Sequence, residues 1–393
     1  MGQRAGHEVL AAVSDLLPML RDRAQETEDA RDVSAESIKA LEGAGFFRLL
    51  QPARYGGLEA DPMTFYMAVR AIAGACGSTG WVASVVGVHP WQLALFPQAA
   101  QEEVWGADTN TRMSSSYAPT GRAQLADGGH QLSGRWSFSS GSNHASWVLL
   151  GGIVTNDEGA PVDFRTFLLP ASDYEIDDVW DTVGLRGTGS NDIVVAGAFV
   201  PEHRSLSFAD VTKCICPGQE VNEAPLFLMP FGSVFSYAIT TPVIGMATGA
   251  YEAHVAYQRT RVRAAYVGHK VAEDPFAQAR VAEAAAEIDA AWLALERNMT
   301  QLMAHARAGD PIPMALRLRI RRDQVRGTGQ AISAVDLLFE NSGGRALRTG
   351  TPIQRFWRDA HAGRVHAIND PERALTMFGR GEFGLPPAAD AML

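Results

Sequence analysis

The chain has 393 residues, of which 46% are hydrophobic and 20% charged, and this size and balance are typical of a soluble protein with two or three domains. A formal net charge of −10 argues against nucleic acid or an anionic membrane surface as the main partner. Residues 1–7 lack the apolar core of a secretory signal, and no stretch is apolar enough to cross a bilayer, so we expect a cytoplasmic protein.

The first hundred residues are predicted to be helical. Apolar side chains between Val9 and Leu20 recur every three or four residues, which gives one apolar stripe on a helix. Ser34 can cap a second helix, which glycines at 43 and 45 would end, and segment 62–108 continues in the same style. We therefore predict an N-terminal helical domain over residues 1–113.

The composition changes after residue 113. β-branched and aromatic runs at 147–150, 164–169 and 192–195 are separated by Gly, Pro, Asn and Asp, as strands and turns are. This pattern predicts a middle β-domain over 114–208. Residues 205–235 are expected to be irregular and to form a connecting loop or a lid.

Helical periodicity returns at about residue 237. Ile288, Trp292, Leu295 and Met299 step by four, three and four residues. Prolines at 311 and 313 should end this helix and start another that runs to Glu340. A last helix is expected after Pro352, so the C-terminal domain, 209–393, is predicted to be a four-helix bundle. The whole chain is thus an α+β multidomain protein.

The usual catalytic signatures are absent from the sequence. There is no Walker A sequence, no His-Glu-x-x-His, and Gly187-Thr-Gly-Ser190 does not complete a dinucleotide fingerprint. His361 and His366 are five residues apart, off one helix face, so we predict no metal site.

Two other groups of residues have ordinary explanations. The Cys214-Ile-Cys216 pair can be redox-active, but with Cys76 it makes an odd count without zinc spacing, and idle thiols are the more frequent case in a reducing compartment. The five arginines at 317, 319, 321, 322 and 326 are typical of a solvated or salt-bridged helix face.

The segment 355–367, Arg-Phe-Trp-Arg-Asp-Ala-His-Ala-Gly-Arg-Val-His-Ala, resembles a signature of acyl-CoA dehydrogenases. In those enzymes an Arg-Asp pair is followed by a helical run and a Tyr-Glu-Gly-Thr whose glutamate abstracts a proton. His366 and Ala367 stand at the corresponding tyrosine and glutamate, and alanine cannot take a proton. A neutral imidazole can instead donate a hydrogen bond to a flavin, although His366 can also be an ordinary bundle residue.

The order of helices, β-domain and helical bundle resembles the acyl-CoA dehydrogenase superfamily along nearly the whole chain. Five segments are similar to the oxygenase components of two-component flavin monooxygenases that hydroxylate phenols: 80–82, 114–117, 136–141, 184–191 and 355–359. The resemblance is strongest to the oxygenases that act on the phenolic 9,10-seco-steroid of bacterial cholesterol degradation.

The resemblance implies a reaction and its partners. Reduced FMN would arrive from a separate NADH-dependent flavin reductase and react with O2 to give a C4a-hydroperoxide, which hydroxylates a phenol ortho to its hydroxyl. The superfamily also implies a homotetramer with the acyl-CoA dehydrogenase fold. The choice between FMN and FAD stays open.

The resemblance also assigns residues to the flavin. Ser140 matches the hydroxyl placed against flavin N5, Trp81 the aromatic beside the ring, and Arg261 or Arg263 the phosphate-binding arginine. The loop 343–346 matches one that contacts the flavin from a neighbouring subunit. The full cofactor set is Trp81, Ser115, Ser116, Tyr117, Phe138, Ser139, Ser140, Arg261, Arg263, Gly344, Arg345, His366 and Ala367. As alternatives, Trp81 can be a core residue, Ser139 a turn serine and 343–346 a simple helix stop.

The substrate phenol is expected at His89 and Ser115, which match family substrate positions. Ionising the phenol makes its ring more nucleophilic. Because the pKa of a phenol is ~10 and that of an imidazole ~6.5, full transfer of the proton to His89 would cost roughly 5 kcal/mol. Ser115 would therefore donate a hydrogen bond, or His89 would share the proton without taking it. Together with Ser140 and His366, these residues form the predicted catalytic set.

Two other functions are compatible with the sequence. A glutamate elsewhere in the bundle can replace the missing base in an acyl-CoA dehydrogenase-like oxidoreductase, because a fold alone does not determine function. A flavin-binding protein without catalysis is the third, but it leaves His89, Ser115, Ser140 and His366 without a role.

Overall fold

The computed structural model describes residues 2–156, 158–263 and 268–388. Six helices form the N-terminal part of the fold. Ser34 caps the third of them by accepting a hydrogen bond from the Ser37 backbone N–H, as predicted. Their bounds are α1 Gly2–Asp22, α2 Ala24–Ala30, α3 Ala35–Gly43, α4 Pro62–Ala75, α5 Gly77–Leu93 and α6 Gln98–Trp105.

Helix α5 lies at the centre of the molecule. Every residue from Gly77 to Leu93 is buried, because the helix packs between α4, α8 and strand β1. Its sequence is apolar or small on all sides, as a fully buried helix requires. The few polar side chains on α5 therefore face the interior.

A seven-stranded sheet forms the middle of the chain, in the order β5-β6-β2-β1-β3-β4-β7. Strands β1 and β3 pair in parallel, and the other neighbours are antiparallel. The strands are β1 Met113–Ala126, β2 Gly129–Ser139, β3 Trp147–Thr155, β4 Pro161–Pro170, β5 Glu175–Asp177, β6 Asn191–Pro201 and β7 Ser205–Ser207. A separate hairpin joins β8 Val262–Arg263 to β9 His269–Lys270.

The segment 205–235 is more regular than predicted. It contains strand β7, helix α7 (Phe208–Lys213) and two single 3-10 turns, and the following helix begins at Phe231 rather than near 237. Asn222 donates to the Ala94 carbonyl at 2.8 Å and to Gln101 at 3.0 Å, which anchors the segment to α6. The prediction of an irregular loop was wrong because these turns are stabilised by contacts distant in sequence.

The C-terminal part is the predicted helical bundle. Its helices are α8 Phe231–Thr260, α9 Pro275–Ala308, α10 Met314–Ser342, α11 Pro352–Arg364 and α12 Pro371–Glu382. The arginine run lies on α10, which packs against α8, α9 and α12. Arg317 and Arg321 are 7% and 4% exposed, so the prediction of a solvated face was wrong for these two residues.

Two apolar cores hold the structure together. The larger core joins helices from both ends of the chain, and the smaller one fills the sheet. The predicted domain boundaries, 113/114 and 208/209, lie at the start of β1 and just after β7. None of the described helices is long and apolar enough to span a membrane.

Candidate functional site

Helix α5 carries one candidate residue at each end of the site. Trp81 and His89 are eight residues apart, which is about 12 Å along an α-helix. Each is the centre of a group of polar side chains. We call these groups the Trp81 cluster (Trp81, Ser140, Ser190, Thr188 and His366) and the His89 cluster (His89, Gln92, Ser115 and Tyr117).

The Trp81 cluster joins α5, the end of β2 and the segment after α11. The Trp81 indole N–H donates to the Ser140 hydroxyl at 3.1 Å, and the His366 ring lies 5.9 Å from the indole, centroid to centroid. Helix α11 approaches so closely that a Cβ at Gly363 would lie 3.0 Å from the indole and 2.9 Å from Val243. The three predicted residues are therefore brought together.

The hydroxyl hydrogens of this cluster run in one direction. The Thr188 hydroxyl donates to the Leu185 carbonyl at 2.9 Å, so it can only accept at its 2.6 Å contact with Ser190. Ser190 then accepts at its 2.7 Å contact with Ser140. Ser140 thus donates its hydrogen to Ser190 and accepts from Trp81 with one lone pair. Its second lone pair is left, so toward a ligand Ser140 can only accept a hydrogen bond.

His366 has the opposite character. It lies beyond the end of α11 and caps a 3-10 turn, because its Nδ1 accepts from the Ile368 backbone N–H at 3.2 Å. Burial, together with the positive charge of Arg321, lowers the pKa of His366 to about 4. The imidazole is therefore neutral at pH 7 and carries its hydrogen on Nε2, which is a donor.

The His89 cluster contains a buried polar atom without a partner. His89 is fully buried, and its Nε2 makes no hydrogen bond with the described residues. Its Nδ1 lies 3.4 Å from the Tyr117 hydroxyl, which donates to the Gln92 side-chain oxygen. Burial lowers the pKa of His89 to about 3, so the ring is neutral.

Ser115 belongs to the same cluster. Its hydroxyl is within hydrogen-bonding reach of the Tyr117 hydroxyl, whose pKa burial raises well above its ordinary value. Tyr117 packs edge-on against two aromatic rings at the start of α8, Phe231 at 5.6 Å and Phe235 at 5.2 Å. Aromatic rings thus pack around Tyr117 on the Nδ1 side of His89, while the unpartnered Nε2 is a buried polar atom that the hydroxyl group of a ligand can satisfy.

Other predicted residues have different surroundings. Ser116 donates to the Ser137 carbonyl at 2.8 Å and Ser139 to the Ser114 hydroxyl at 3.1 Å, so both hydroxyls are used within the sheet. Phe138 has a left-handed backbone (φ 70°), and its ring is 69% exposed. Ala367, the residue that replaces the dehydrogenase base, is exposed beside His366.

The predicted phosphate residues lie far from Ser140 in the same chain. Val243 lies near Trp81, and Arg261 follows it by 18 residues along α8, which is about 27 Å. Gly344 and Arg345 are exposed at the end of α10, in the segment that adjoins Arg261. The side chain of Arg263 lies outside the described residues.

Arg261 has a setting that suits an anion. Its guanidinium donates to the Asn341 carbonyl at 3.0 Å and to the Gln258 side chain at 3.4 Å, both neutral acceptors. Gly343, with φ 69°, lets the loop approach, since a Cβ there would lie 2.3 Å from the guanidinium. No carboxylate among the described residues pairs with Arg261, so its positive charge can serve a ligand.

The Arg-Asp signature on α11 has a structural role that the sequence analysis missed. Arg355 and Arg358 both bind Glu28 of α2, at 3.0 and 2.6 Å. Asp359 accepts from the Leu185 backbone N–H at 2.6 Å. These contacts dock α11 onto the loop that also ends the hydroxyl chain, so they position the Trp81 cluster without belonging to it.

Comparison with known proteins identifies the family. The family models for the acyl-CoA dehydrogenase N-terminal and C-terminal domains match residues 11–110 and 237–371. The oxygenase subunit HsaA of a flavin-dependent monooxygenase from Rhodococcus jostii is 60% identical over 371 residues, covering 94% of this chain and 97% of the relative. This chain belongs to the flavin-dependent monooxygenase oxygenase subunits. It is therefore an enzyme that uses reduced flavin, in the acyl-CoA dehydrogenase fold.

Solved structures agree with this assignment. The 3-HSA hydroxylase from Rhodococcus sp. RHA1 has a TM-score of 0.95 and 59% identity, covering 98% of this chain and 99% of its own. XiaF from Streptomyces sp., solved with FADH2 and glycerol, has a TM-score of 0.92 and 28% identity, covering 100% and 98%. The predicted family, fold and reaction type are thus confirmed.

The Trp81 cluster fits a reduced flavin. Reduced flavin carries an N–H at N5, which needs an acceptor, and Ser140 has an acceptor lone pair left. His366 adds a hydrogen-bond donor. Phe138 and Val365, which are 69% and 82% exposed and lie near Ser140 and His366 in the chain, supply apolar surface. A planar ring with polar edges satisfies both kinds of group.

Proposed function

We propose that this protein hydroxylates a phenolic seco-steroid ortho to its hydroxyl group, using reduced FMN and O2. The name of the 3-HSA hydroxylase from Rhodococcus sp. RHA1, at 59% identity, supports the substrate class. The observation that carries the proposal is the unpartnered Nε2 of the fully buried His89, about 12 Å along α5 from the Trp81 cluster.

His89 and Ser115 anchor the phenol in this proposal. Nε2 of His89 accepts the phenol O–H, and the Ser115 hydroxyl turns from Tyr117 to donate to the phenol oxygen. With the pKa of His89 at about 3 and that of a phenol at ~10, proton transfer before the reaction costs about 9 to 10 kcal/mol. The proton is therefore shared in the bound state and not transferred.

The proton moves when the ring reacts. When bound, reduced flavin would activate O2, so that one oxygen atom goes to the substrate and the other leaves as water. The ring carbon ortho to the hydroxyl provides the electron pair of the new C–O bond, and this makes the phenol O–H strongly acidic, so that even a weak base such as His89 can take its proton. The proton on the attacked carbon then leaves to water, which restores the aromatic ring, and His89 returns its own proton to the original oxygen.

The Trp81 cluster protects the flavin in this proposal. Ser140 would accept the hydrogen on N5 of a bound reduced flavin, and His366 would offer its Nε2 hydrogen to the oxygen atom that is transferred. A donor fixed in a pocket that excludes water opposes loss of that oxygen as H2O2. Phe138 and Ala367 are the other predicted residues with exposed side chains near Ser140 and His366 in the chain, and we propose that they contact the flavin.

The remaining parts of the proposal concern partners. The relatives named oxygenase subunits or components imply a separate reductase, and we propose that it uses NADH and that both proteins act in the cytoplasm. We further propose a homotetramer in which Arg261 or Arg263, with Gly344 and Arg345, holds the flavin phosphate of a neighbouring subunit. The distance of about 27 Å along α8 between Val243 and Arg261 supports this arrangement.

The test is anaerobic mixing of the protein with reduced FMN or reduced FAD, followed by oxygen and a panel of phenols. We expect a bulky seco-steroid phenol to be hydroxylated ortho to its hydroxyl group, with the oxygen of labelled O2 in the product. His89→Ala should slow hydroxylation while H2O2 formation from reduced flavin continues. Oxidation of an acyl-CoA with an artificial electron acceptor and no oxygen would contradict the proposal.

A further inference from the structure

The His89 cluster determines which ring nitrogen of His89 holds the hydrogen. Gln92 lies one helical turn after His89 on α5, and Tyr117 reaches the pair from β1. The Tyr117 hydroxyl has one hydrogen and two lone pairs. Its hydrogen goes to the Gln92 side-chain oxygen, so it can only accept at its other contacts, Ser115 and Nδ1 of His89.

This arrangement has a consequence at the far side of the imidazole. The acceptors on this side are the Tyr117 hydroxyl, 3.4 Å from Nδ1, and the Gln92 side-chain oxygen, so Nδ1 carries the hydrogen and Nε2 of the neutral ring is then an acceptor. That Nε2 is buried without a partner among the described residues. Nε2 of His89 can therefore accept a hydrogen bond from the O–H of a neutral phenol. The ionised phenol has no hydrogen to donate, and its negative oxygen would face the Nε2 lone pair.

We propose that Tyr117 and Gln92 are positioning residues that hold His89 as an acceptor, so that the site binds a phenol in its neutral form. This rests on the proposed function for the identity of the ligand. His366 is held as the opposite tautomer by the Ile368 N–H, which leaves its Nε2 as a donor. Two neutral histidines thus have opposite hydrogen-bonding roles at the two ends of one site.

The test uses 4-nitrophenol, whose neutral and ionised forms have different absorption spectra, bound to the protein without flavin. At the pH where half of the free probe is ionised, we expect the neutral form of the bound probe to exceed its ionised form by at least tenfold. Gln92→Met keeps the side-chain volume but removes the acceptor, so the Tyr117 hydrogen turns to Nδ1 and the His89 hydrogen moves to Nε2. The bound probe should then shift by at least tenfold toward phenolate.

Two further variants make the test specific. In Tyr117→Phe the Nδ1 hydrogen loses one acceptor and keeps the Gln92 oxygen, so we expect a smaller shift in the same direction. Phe235→Leu alters the packing against Tyr117 without removing a hydrogen bond, so it can change probe affinity but should leave the ratio of neutral to ionised probe unchanged.

The outcomes separate this proposal from the proposed function, because the probe experiment needs neither flavin nor oxygen. A ratio that is the same in the native protein, Gln92→Met and Tyr117→Phe would overturn it, even in an enzyme that hydroxylates phenols. A native protein that binds the probe as phenolate, or not at all, would also overturn it. If the ratio shifts as expected but no phenol is hydroxylated, only the proposed function fails.

Discussion

At the scale of single residues, the site depends on hydrogen positions more than on residue types. Ser140, His89 and His366 are each common residues, and each gains its role from the group bonded to its other side. Ser140 is an acceptor because Ser190 takes its hydrogen, and His366 is a donor because Ile368 occupies Nδ1. Changing a neighbour should therefore change a role without removing the residue itself.

Ser190→Ala should reduce the preference for reduced over oxidised flavin. Without Ser190, the Ser140 hydrogen is free to point at the ligand and can serve N5 of oxidised flavin, which is an acceptor. One hydrogen bond contributes about 0.5 to 1.5 kcal/mol, so the ratio of the two dissociation constants should fall by roughly tenfold at most. The measurement is titration with reduced FMN under anaerobic conditions and with oxidised FMN in air. Ser142→Ala, a buried serine outside the hydroxyl chain, is the control; a ratio unchanged in both variants would contradict the prediction.

His366→Ala should divert the enzyme from product to H2O2. A hydrogen bond to a group with developing charge contributes about 1.5 to 3 kcal/mol, so the ratio of H2O2 to product should rise roughly ten- to a hundredfold. The two products are measured together in single-turnover reactions, with circular dichroism to check the fold. His361→Ala is the matched control, because His361 bonds to the Trp357 carbonyl on the same segment. If His366→Ala forms as much product and as little H2O2 as the native protein, His366 acts only as the cap of the 3-10 turn.

At the scale of elements, α11 is held by charged groups that are largely buried. Glu28 receives both Arg355 and Arg358, and its side chain is 12% exposed. Breaking a buried ion pair costs more than breaking an exposed one, because the remaining charge stays desolvated. The Arg-Asp signature therefore determines where the segment after α11 presents His366.

Asp359→Asn should change how stability depends on pH. Burial raises the pKa of Asp359 to about 6, so the folded protein keeps a proton there that the unfolded chain loses near 3.8. The contribution of the Asp359 carboxyl to the unfolding free energy is thus complete below pH 3.8, its pKa in the unfolded chain. That contribution is lost as the pH rises through about 6. The unfolding free energy of the variant relative to the native protein should rise by about 3 kcal/mol between about pH 4 and 7.

Urea unfolding at several pH values measures this difference. The asparagine oxygen still accepts from the Leu185 N–H, so the docking of α11 should persist. Asp178→Asn serves as the control, since Asp178 is exposed and pairs with Arg31 at the surface. Parallel pH profiles for native protein and Asp359→Asn would show that the Asp359 carboxyl titrates normally.

At the scale of the whole molecule, the flavin site is proposed to be shared between subunits. In the proposed site, Ser140 contacts the ring end of the flavin and Arg261 the phosphate end, and about 27 Å of α8 separates Val243, near the Trp81 cluster, from Arg261. A closed oligomer can bring the phosphate end of one chain to the ring end of another. A single subunit would then bind flavin weakly.

Mixed oligomers test this arrangement. Arg261→Ala and His366→Ala should each be poorly active as pure proteins, the first with weaker flavin binding. The two variants are mixed by refolding or coexpression. If each site takes His366 from one chain and Arg261 from another, about a quarter of the sites in the mixture receive both intact residues. Coupled hydroxylation should therefore reappear in the mixture. A mixture no better than its components would place Arg261 outside the shared site.

Local signals predicted much of the fold. The Ser34 cap, the prolines before α10 and the stripe on α1 are short-range features, and they lie where the sequence places them. The start of α8 at Phe231 and the burial of Arg321 were missed because they depend on packing against distant elements. Gln92 was missed although it lies one turn from His89, since nothing nearby in sequence shows that Tyr117 meets it.

The sequence by itself determined the order of elements and the chemical groups available, because periodicity, caps and residue types are local properties. Which groups donate and which accept was decided only by the tertiary structure. Tyr117 comes to Gln92 from 25 residues away and Ser140 to Trp81 from 59, and a hydrogen on an imidazole or a hydroxyl goes where these distant partners allow. The same holds for charge: burial and then the charge of Arg321 lower the pKa of His366, and both depend on α10 packing near the segment after α11.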